Sequence, residues 1–280
     1  MKLNAYAKIN LTLDILGVRE DGFHELRSVM VPISLCDVIE LEKSDRLSFD
    51  CDKSELVTDD NLCTMAARLF FEEIGKEACV SIRLQKNIPY PAGLGGGSAD
   101  AACILNGLNE AYGFPLEREK LFAIAARLGS DVPFCLLCSP ADCKGRGERL
   151  SAISGMPSLD VVIAIGKARL RTPDVFRAYD ASGEQPRNDS ERLLSAVEGG
   201  DKNEIIASLG NAFEPITDKL APETMQIRAL MTDSGALASH LSGSGPSVYG
   251  IYENSEKASA SAEMLREKGF FAVCCKTFGS

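Results

Sequence analysis

The sequence predicts an α+β protein of two domains. Its 280 residues exceed the usual span of one domain, and 45% of them are apolar, enough for packed cores. Strand-like alternation and helix-like periodicity intermix, with strands clustered early and no regular strand–helix–strand array, which favours α+β over a wound parallel sheet. Within residues 5–16, Ile9, Leu11, Leu13 and Ile15 alternate, predicting a half-buried strand with Lys8 and Asn10 on the opposite face. Asp37–Glu42 and Arg46–Asp50 read as two further short strands. Residues 61–74 read as a helix, because Leu62, Met65, Ala66, Leu69 and Phe70 recur at helical spacing. Val80–Leu84 alternates and runs into the Pro- and Gly-rich stretch Pro89–Gly97. Ala101–Tyr112 and Leu116–Leu128 follow as helices, and the apolar run after Asp131 reads as a strand.

A linker near residues 150–158 divides the chain into expected domains 1–153 and 154–280. Leu159–Ile165 reads as a buried strand and 181–190 as a polar surface loop. Helical patterns continue to about Asp233. Strands flank the turn Ser242–Ser247, and a helix at Glu256–Lys268 precedes a last strand that sends Cys274 and Cys275 to opposite faces.

Lys and Arg total 30 against 40 Asp and Glu, a net charge of −10, which disfavours nucleic acid as a partner. The longest apolar runs fall far short of the ~18 residues of a membrane span. The opening MKLNAYAKIN lacks an apolar signal region, so a cytoplasmic location is expected. Ten irregularly spaced cysteines then read as reduced thiols. Cys135, Cys138 and Cys143 come nearest to a metal cluster, yet no second pair stands at zinc-site spacing, and small buried residues are the better reading.

The first chemical feature is PYPAGLGGGSADAA, from Pro89 to Ala102. Gly93, Gly95, Gly96 and Gly97 lie between a strand and a strong helix, where backbone N–H groups approach a ligand closely and the helix N-terminus attracts anions. The stretch Pro91, Ala92, Gly93, Leu94, Gly95, Gly96, Gly97 and Ser98 is therefore a candidate phosphate cradle, with Ser98 a reasonable N-cap. It is not a Walker A loop, since no Gly-Lys-Ser/Thr closes it, and Ser98 stands where a dinucleotide fingerprint has its third glycine. Asp100, in the first turn, would repel phosphate unless it points away.

The other features are weak singly. Lys8 and Asn10 read first as a solvated polar face. His24, one of two histidines, stands beside Phe23, and a lone histidine is more often structural than functional. Asp131, in Gly129–Leu137, suits an N-cap or turn. Ser242-Gly243-Ser244-Gly245-Pro246-Ser247 is a glycine turn suited to closing over a ligand.

Taken in order, Ala7-Lys8-Ile9-Asn10-Leu11, the glycine-rich loop, Gly129-Ser130-Asp131-Val132-Pro133 and Ser242–Ser247 resemble the motifs of the GHMP small-molecule kinases, a likeness that runs from Ala7 to Ser247. The segment Arg19–Leu26 is similar to the signature of the branch that acts on a cytidyl sugar alcohol of non-mevalonate isoprenoid synthesis. The resemblance implies a two-domain α+β GHMP kinase fold with its active site in the interdomain cleft. It implies ATP with Mg²⁺ as cofactors, and phosphorylation of the 2-hydroxyl of diphosphocytidyl-methylerythritol.

By the same resemblance Asp131 is the catalytic base and a substrate contact, and Lys8 orients the hydroxyl and favours the Asp131 carboxylate. Asn10 contacts substrate, Phe23 stacks on cytosine where the family usually has Tyr, His24 reads the cytosine edge, and Phe176 supplies a second stacking face. Lys8, Lys86, Lys144, Arg146 and Lys167 are the cations available to two anionic ligands, and no residue is assigned to the metal. Pro91 before the loop, Phe23 for Tyr, and Ser139–Asp142 in place of a glycine-richer stretch depart from the pattern. A nucleotide-binding regulator without catalysis is the second reading, which leaves Lys8 and Asp131 together without a purpose; a dehydrogenase is weaker, for want of the third glycine.

Overall fold

The computed structural model describes residues 1–279. In chain order the elements are β1 (Lys2–Asn10), β2 (Thr12–Val18), β3 (His24–Lys43), β4 (Ser48–Cys51), α1 (Leu62–Glu73), β5 (Val80–Gln85), α2 (Gly96–Ala111), α3 (Arg118–Leu128), α4 (Val132–Leu137), β6 (Ala141–Gly145), β7 (Arg149–Ala152) and β8 (Asp160–Ile165). Then come α5 (Thr172–Asp180), α6 (Asp189–Gly199), α7 (Lys202–Ala207), β9 (Gly210–Asn211), α8 (Glu214–Leu220), α9 (Glu223–Asp233), β10 (Ala238–Leu241), β11 (Val248–Tyr252), α10 (Ser255–Glu267) and β12 (Phe271–Lys276). The chain forms two compact units: one of Met1–Ala7, Leu35–Pro89 and Gly95–Cys138, the other of Lys8–Ser34, Tyr90–Leu94 and the residues from Ser139 onward.

In the first unit the second half of β3 runs antiparallel to β5, with Val38 opposite Gln85 and Lys43 opposite Val80, and β4 pairs β5 in parallel. The expected strand at Asp37–Glu42 is thus the end of a 20-residue strand, because the preceding Val29, Met30, Val31 and Ile33 are buried and extend it. Helices α1, α2, α3 and α4 pack together. Asn61 caps α1, accepting from Cys63 N at 2.8 Å, and the apolar stripe buries Ala66, Phe70 and Phe71. Tyr112 meets Phe71 edge-on at 5.3 Å. Two expectations need correction. Helix α2 starts at Gly96, five residues before Ala101, because its glycine and serine first turn carries no apolar period. The run after Asp131 is helix α4 and not a strand, the usual ambiguity of a short apolar stretch.

In the second unit β2 and the first half of β3 form a hairpin, β6 adds antiparallel to β3, β7 pairs β6, and β9 pairs β2 in parallel. A separate four-stranded sheet has the order β10-β11-β8-β12. Helices α9 and α10 lie against it and bury Ile227, Met231, Ala262 and Leu265 with Val162, Ala164 and Tyr252. The polar loop at 181–190 ends where Asp14, fully buried, accepts the amide N–H groups of Asp189 (3.1 Å) and Ser190 (2.9 Å), supplying α6 with a cap from a distant strand.

The end of β10 is held by a charged cluster. One Glu214 carboxylate oxygen accepts from His240 Nδ1 and from Leu241 N, each at 3.0 Å, with Arg228 Nη1 at 3.6 Å. Arg228 also donates to Asp218, which accepts from Thr224 at 3.0 Å. Burial opposes the Glu214 charge, but His240, the Leu241 amide and Arg228 outweigh it, and the carboxyl titrates below its usual range. A lowered carboxyl pKa stabilises the fold above the unfolded value of 4.5 and loses that contribution as pH falls through the folded value. Glu214→Gln is therefore expected to cost about 1.5–3 kcal/mol at pH 7. In urea unfolding at several pH values the deficit narrows below pH ~4; a deficit independent of pH contradicts the charge argument.

Candidate active site

The glycine-rich stretch is built differently on its two sides. In the second unit Gly93 has φ +76°, and a Cβ there would lie 2.3 Å from the Ser242 carbonyl oxygen. Ser242 Oγ donates to Gly93 O at 3.0 Å, Ser247 N to Ala92 O at 3.3 Å, and Lys8 N to Leu94 O at 3.0 Å. The Ser242–Ser247 turn thus lies directly on residues 92–94, joining two features that the sequence separates by 149 positions. Asn211, fully buried, shapes that turn: its Nδ2 donates to Leu241 O and Gly243 O, both at 2.9 Å.

In the first unit Gly95 is the N-cap of α2, with φ +67°. The expectation of Ser98 as cap is corrected: Ser98 is half-buried in the third helical position. The N–H groups of Gly96, Gly97 and Ser98 belong to the first turn, where no intrahelical acceptor exists, and Gly97 is exposed. Gly96 is fixed by close packing, since a Cβ there would meet Ile88 Cγ2 at 3.0 Å and Lys86 Nζ at 3.3 Å. Lys86 is a buried ion-pair partner of Asp37 and Asp100, a correction to its place among the available cations. Asp131 is the N-cap residue of α4, with φ −87° and ψ −13°, and its side chain makes no capping hydrogen bond to that helix.

Lys8 and Asn10 are buried, at 3% and 4% exposure, so the expected solvated face is corrected. Lys8 Nζ donates to Asn10 Oδ1 at 2.8 Å, Asn10 Nδ2 to Ser28 Oγ at 2.8 Å, and Ser28 Oγ to Thr12 O at 2.6 Å. This chain of hydrogen bonds fixes the Lys8 side chain and orients the Asn10 amide. Alternation along β1 shows only that the two side chains share a face; the serine and threonine beneath them make burial tolerable.

The segment Arg19–Leu26 forms the tip of the β2–β3 hairpin. Gly22 has φ +79°, Asp21 Oδ1 accepts Phe23 N at 3.2 Å, and Arg19 spans Asp21 (3.1 Å) and Glu25 (2.9 Å). Arg19, Asp21 and Gly22 therefore build the turn, and Phe23 is displayed on it, 54% exposed, with the Arg146 guanidinium 4.8 Å from its ring centroid. His24 Nε2 lies 2.7 Å from Asp180 Oδ1, and its ring stands 4.8 Å from Phe176, which in turn packs edge-on against Phe213. Phe23, His24 and Phe176 thus belong to one side of the second unit. Asp180 and Asn211 escaped the sequence reading, because neither lies in a motif with a recognisable spacing.

The chain matches the GHMP kinases N terminal domain over residues 61–139 and the GHMP kinases C terminal model over residues 193–270. It is 39% identical over 269 residues to 4-diphosphocytidyl-2-C-methyl-D-erythritol kinase of Caldicellulosiruptor bescii, covering 95% of this chain and 94% of that protein. It is 41% identical over 256 residues to the protein of the same name from Bacillus pumilus, covering 90% and 88%. A crystal structure of 4-(cytidine 5'-diphospho)-2C-methyl-D-erythritol kinase superposes over 100% of both chains with a TM-score of 0.87 at 36% identity. A homoserine kinase from Cytophaga hutchinsonii, at 19% identity and TM-score 0.75, shares the fold. The glycine loop with its serine turn, the buried Lys8 network and the Phe23–His24 hairpin are accordingly the local parts of a known architecture, and the chain belongs to the GHMP kinases, in the 4-diphosphocytidyl-2-C-methyl-D-erythritol kinase family.

Proposed function

We propose that this enzyme transfers the terminal phosphoryl group of ATP to the 2-hydroxyl of 4-diphosphocytidyl-2-C-methyl-D-erythritol, in non-mevalonate isoprenoid precursor synthesis. The observation that carries the substrate is the hairpin that displays an exposed Phe23 beside a His24 anchored by Asp180 and Phe176. A planar pyrimidine stacks on Phe23, and His24, fixed at one ring nitrogen, offers the base edge a single hydrogen-bonding partner. Phe176 supports the histidine and supplies the second apolar wall. Asn10 contacts the methylerythritol end.

ATP phosphates lie on Pro91–Ser98. The N–H groups of the first turn of α2 bind oxygens, and Gly93 lets the backbone come close where a side chain would not fit. Asp131 accepts the proton of the attacking hydroxyl, and Lys8, fixed by Asn10, orients that hydroxyl. A carboxylate is base enough, because phosphoryl transfer passes through a loose transition state in which the proton leaves late. Positioning and charge stabilisation then supply most of the acceleration.

Bound with the triphosphate, Mg²⁺ would neutralise part of its charge; among the described residues no cluster of three His, Cys, Asp or Glu side chains would hold it unaided. No helix among the described residues is long and apolar enough to cross a membrane. The ten cysteines form no disulfide bond, consistent with the cytoplasm as the working compartment. Residues 1–153 and 154–280 are the two functional halves, the first carrying the nucleotide loop and the second the Phe176 wall.

Three measurements test the reading. With purified enzyme, ATP and the cytidyl substrate, Asp131→Asn is expected to lower kcat by about 10²–10⁴; near-wild-type kcat removes Asp131 from the chemistry. Gly93→Ala places a methyl group against the Ser242 carbonyl at a left-handed φ, and is expected to raise KM for ATP about tenfold or more. Phe23→Ala is expected to raise KM for the cytidyl substrate about tenfold or more and to leave KM for ATP unchanged. Wild-type protein inert toward this substrate but active on homoserine or mevalonate moves the assignment to another branch.

A further inference from the structure

Beneath the first turn of α2, and unused by the chemistry above, lies a buried set of charges. Lys86 Nζ donates to Asp100 Oδ2 at 2.8 Å and to Asp37 Oδ2. The other Asp37 oxygen accepts the amides of Asn87 (2.6 Å) and Ile88 (2.8 Å). Exposure is 0% for Asp37, 3% for Asp100 and 8% for Lys86. The cluster touches the phosphate loop itself, since a Cβ on Gly96 would stand 3.3 Å from Lys86 Nζ.

The arithmetic of this site is unbalanced. Two carboxyl groups share one ammonium, and Asp100 Oδ1, though buried, has no hydrogen-bond partner. With both carboxylates ionised the site carries one uncompensated negative charge beneath the cradle; the dipole of α2 favours that charge, but burial and a bound triphosphate both oppose it. We propose that Asp100 is a positioning residue that holds a proton in the working enzyme, so that the Asp37–Lys86–Asp100 cluster anchors the first turn of α2 while remaining electrically neutral toward the triphosphate.

The surroundings agree. Burial, with the Asp37 charge added, outweighs Lys86 and pushes the Asp100 carboxyl up to about 8. Burial opposes the Lys86 charge, but Asp100 and Asp37 overcome it, and the ammonium titrates above its ordinary value. Cys36 of β3 stands near Asp37 and Cys51 of β4 near Lys86, and burial raises both thiols, while Asp52, which accepts Lys86 N at 2.9 Å, is lowered mainly by that bond. Asp100 itself faces Cys63 of α1 and Cys103 of α2, whose thiols burial also raises. Cys63 is pushed well above its ordinary value and Cys103 to about 12, so neither supplies a competing charge near neutrality. A group whose acid form the fold favours keeps its proton at low pH and loses it as pH rises through about 8.

This inference rests on the ATP reading and is tested apart from turnover. Binding of the non-hydrolysable analogue AMPPNP with Mg²⁺ is followed by calorimetry between pH 7 and pH 9.5, in buffers of different ionisation enthalpy. The wild-type Kd is expected to rise about tenfold over that range, with uptake of about half a proton per bound analogue at pH 9 and almost none at pH 7. Asp100→Asn, the neutral isostere, is expected to bind as the wild type does at pH 7 and to lose the alkaline dependence. A wild-type Kd flat with pH, or proton uptake near zero at pH 9, overturns the proposal, as does an Asp100→Asn variant that folds and still follows the wild-type curve. Should that variant fail to fold, the proton count on wild-type protein decides alone. Analogue that binds with no pH dependence sinks only this proposal, whereas no binding at any pH sinks the ATP reading together with it.

Discussion

The constraint on which the site depends is the meeting of two backbones. Gly93 and Ser242 approach so closely that no side chain fits between them, and three hydrogen bonds fix residues 92–94 in place: from Ser242 Oγ, Ser247 N and Lys8 N. A backbone this tightly held cannot rearrange to suit a ligand, so its amide groups are set before a nucleotide arrives. Preorganisation of this kind is what electrostatic stabilisation of a transferring phosphoryl group requires, because no energy is then spent on turning dipoles during the reaction. The cost falls on the sequence: Gly93 and Gly243 must adopt left-handed φ values of +76° and +58°, and Asn211 must be buried to hold the turn's carbonyl groups.

Most of the fold was legible because amphipathic period and capping agree where an element has one buried face. Helices α1 and α10 and strand β5 lie within a few residues of their expected limits, as does β8, which is buried on both faces and announced itself by a short continuous apolar run. Where the buried groups are polar, or the apolar run is too short, the signal fails. Lys8 and Asn10 alternate with apolar residues as a solvated face would, and only the partners Ser28 and Thr12, from elsewhere in the chain, make them interior groups. Val132–Leu137 is too short and too uniformly apolar for its period to distinguish helix from strand. The first turn of α2 is invisible for the opposite reason: glycine and serine carry no hydrophobic pattern, and the proposed anion cradle needs them there.

The site residues divide in a related way. Gly93 stood out by its residue type in context, whereas Phe23 and His24 were weak singly and were named through the resemblance of Arg19–Leu26. Asp100 was expected to repel phosphate, and the structure gives the reason it need not: the side chain is turned into a buried pair with Lys86. Asn211, Asp180 and Glu214 act through other residues. Each holds a turn, a ring or a strand end, and such roles require only a hydrogen-bonding group at the right place in space. Sequence spacing carries no trace of them, because their partners lie 26 to 156 positions away.

An acidic chain that binds two anionic ligands has to solve a problem of charge distribution, and this one does so by committing its cations locally. Arg19 is tied to Asp21 and Glu25, Arg27 to Asp142, Lys86 to two aspartates and Arg228 to Asp218 and Glu214. With so many ammonium and guanidinium groups spent on the fold, a net charge of −10 would repel a nucleotide if phosphate recognition relied on side-chain charge alone. Backbone N–H groups escape that difficulty. They carry partial positive charge at fixed positions, they do not titrate, and the length of α2 behind them adds its dipole. Under the proposed function, recognition of the base is then left to Phe23 and His24, whose contacts are short-ranged and nearly indifferent to the charge of the whole molecule.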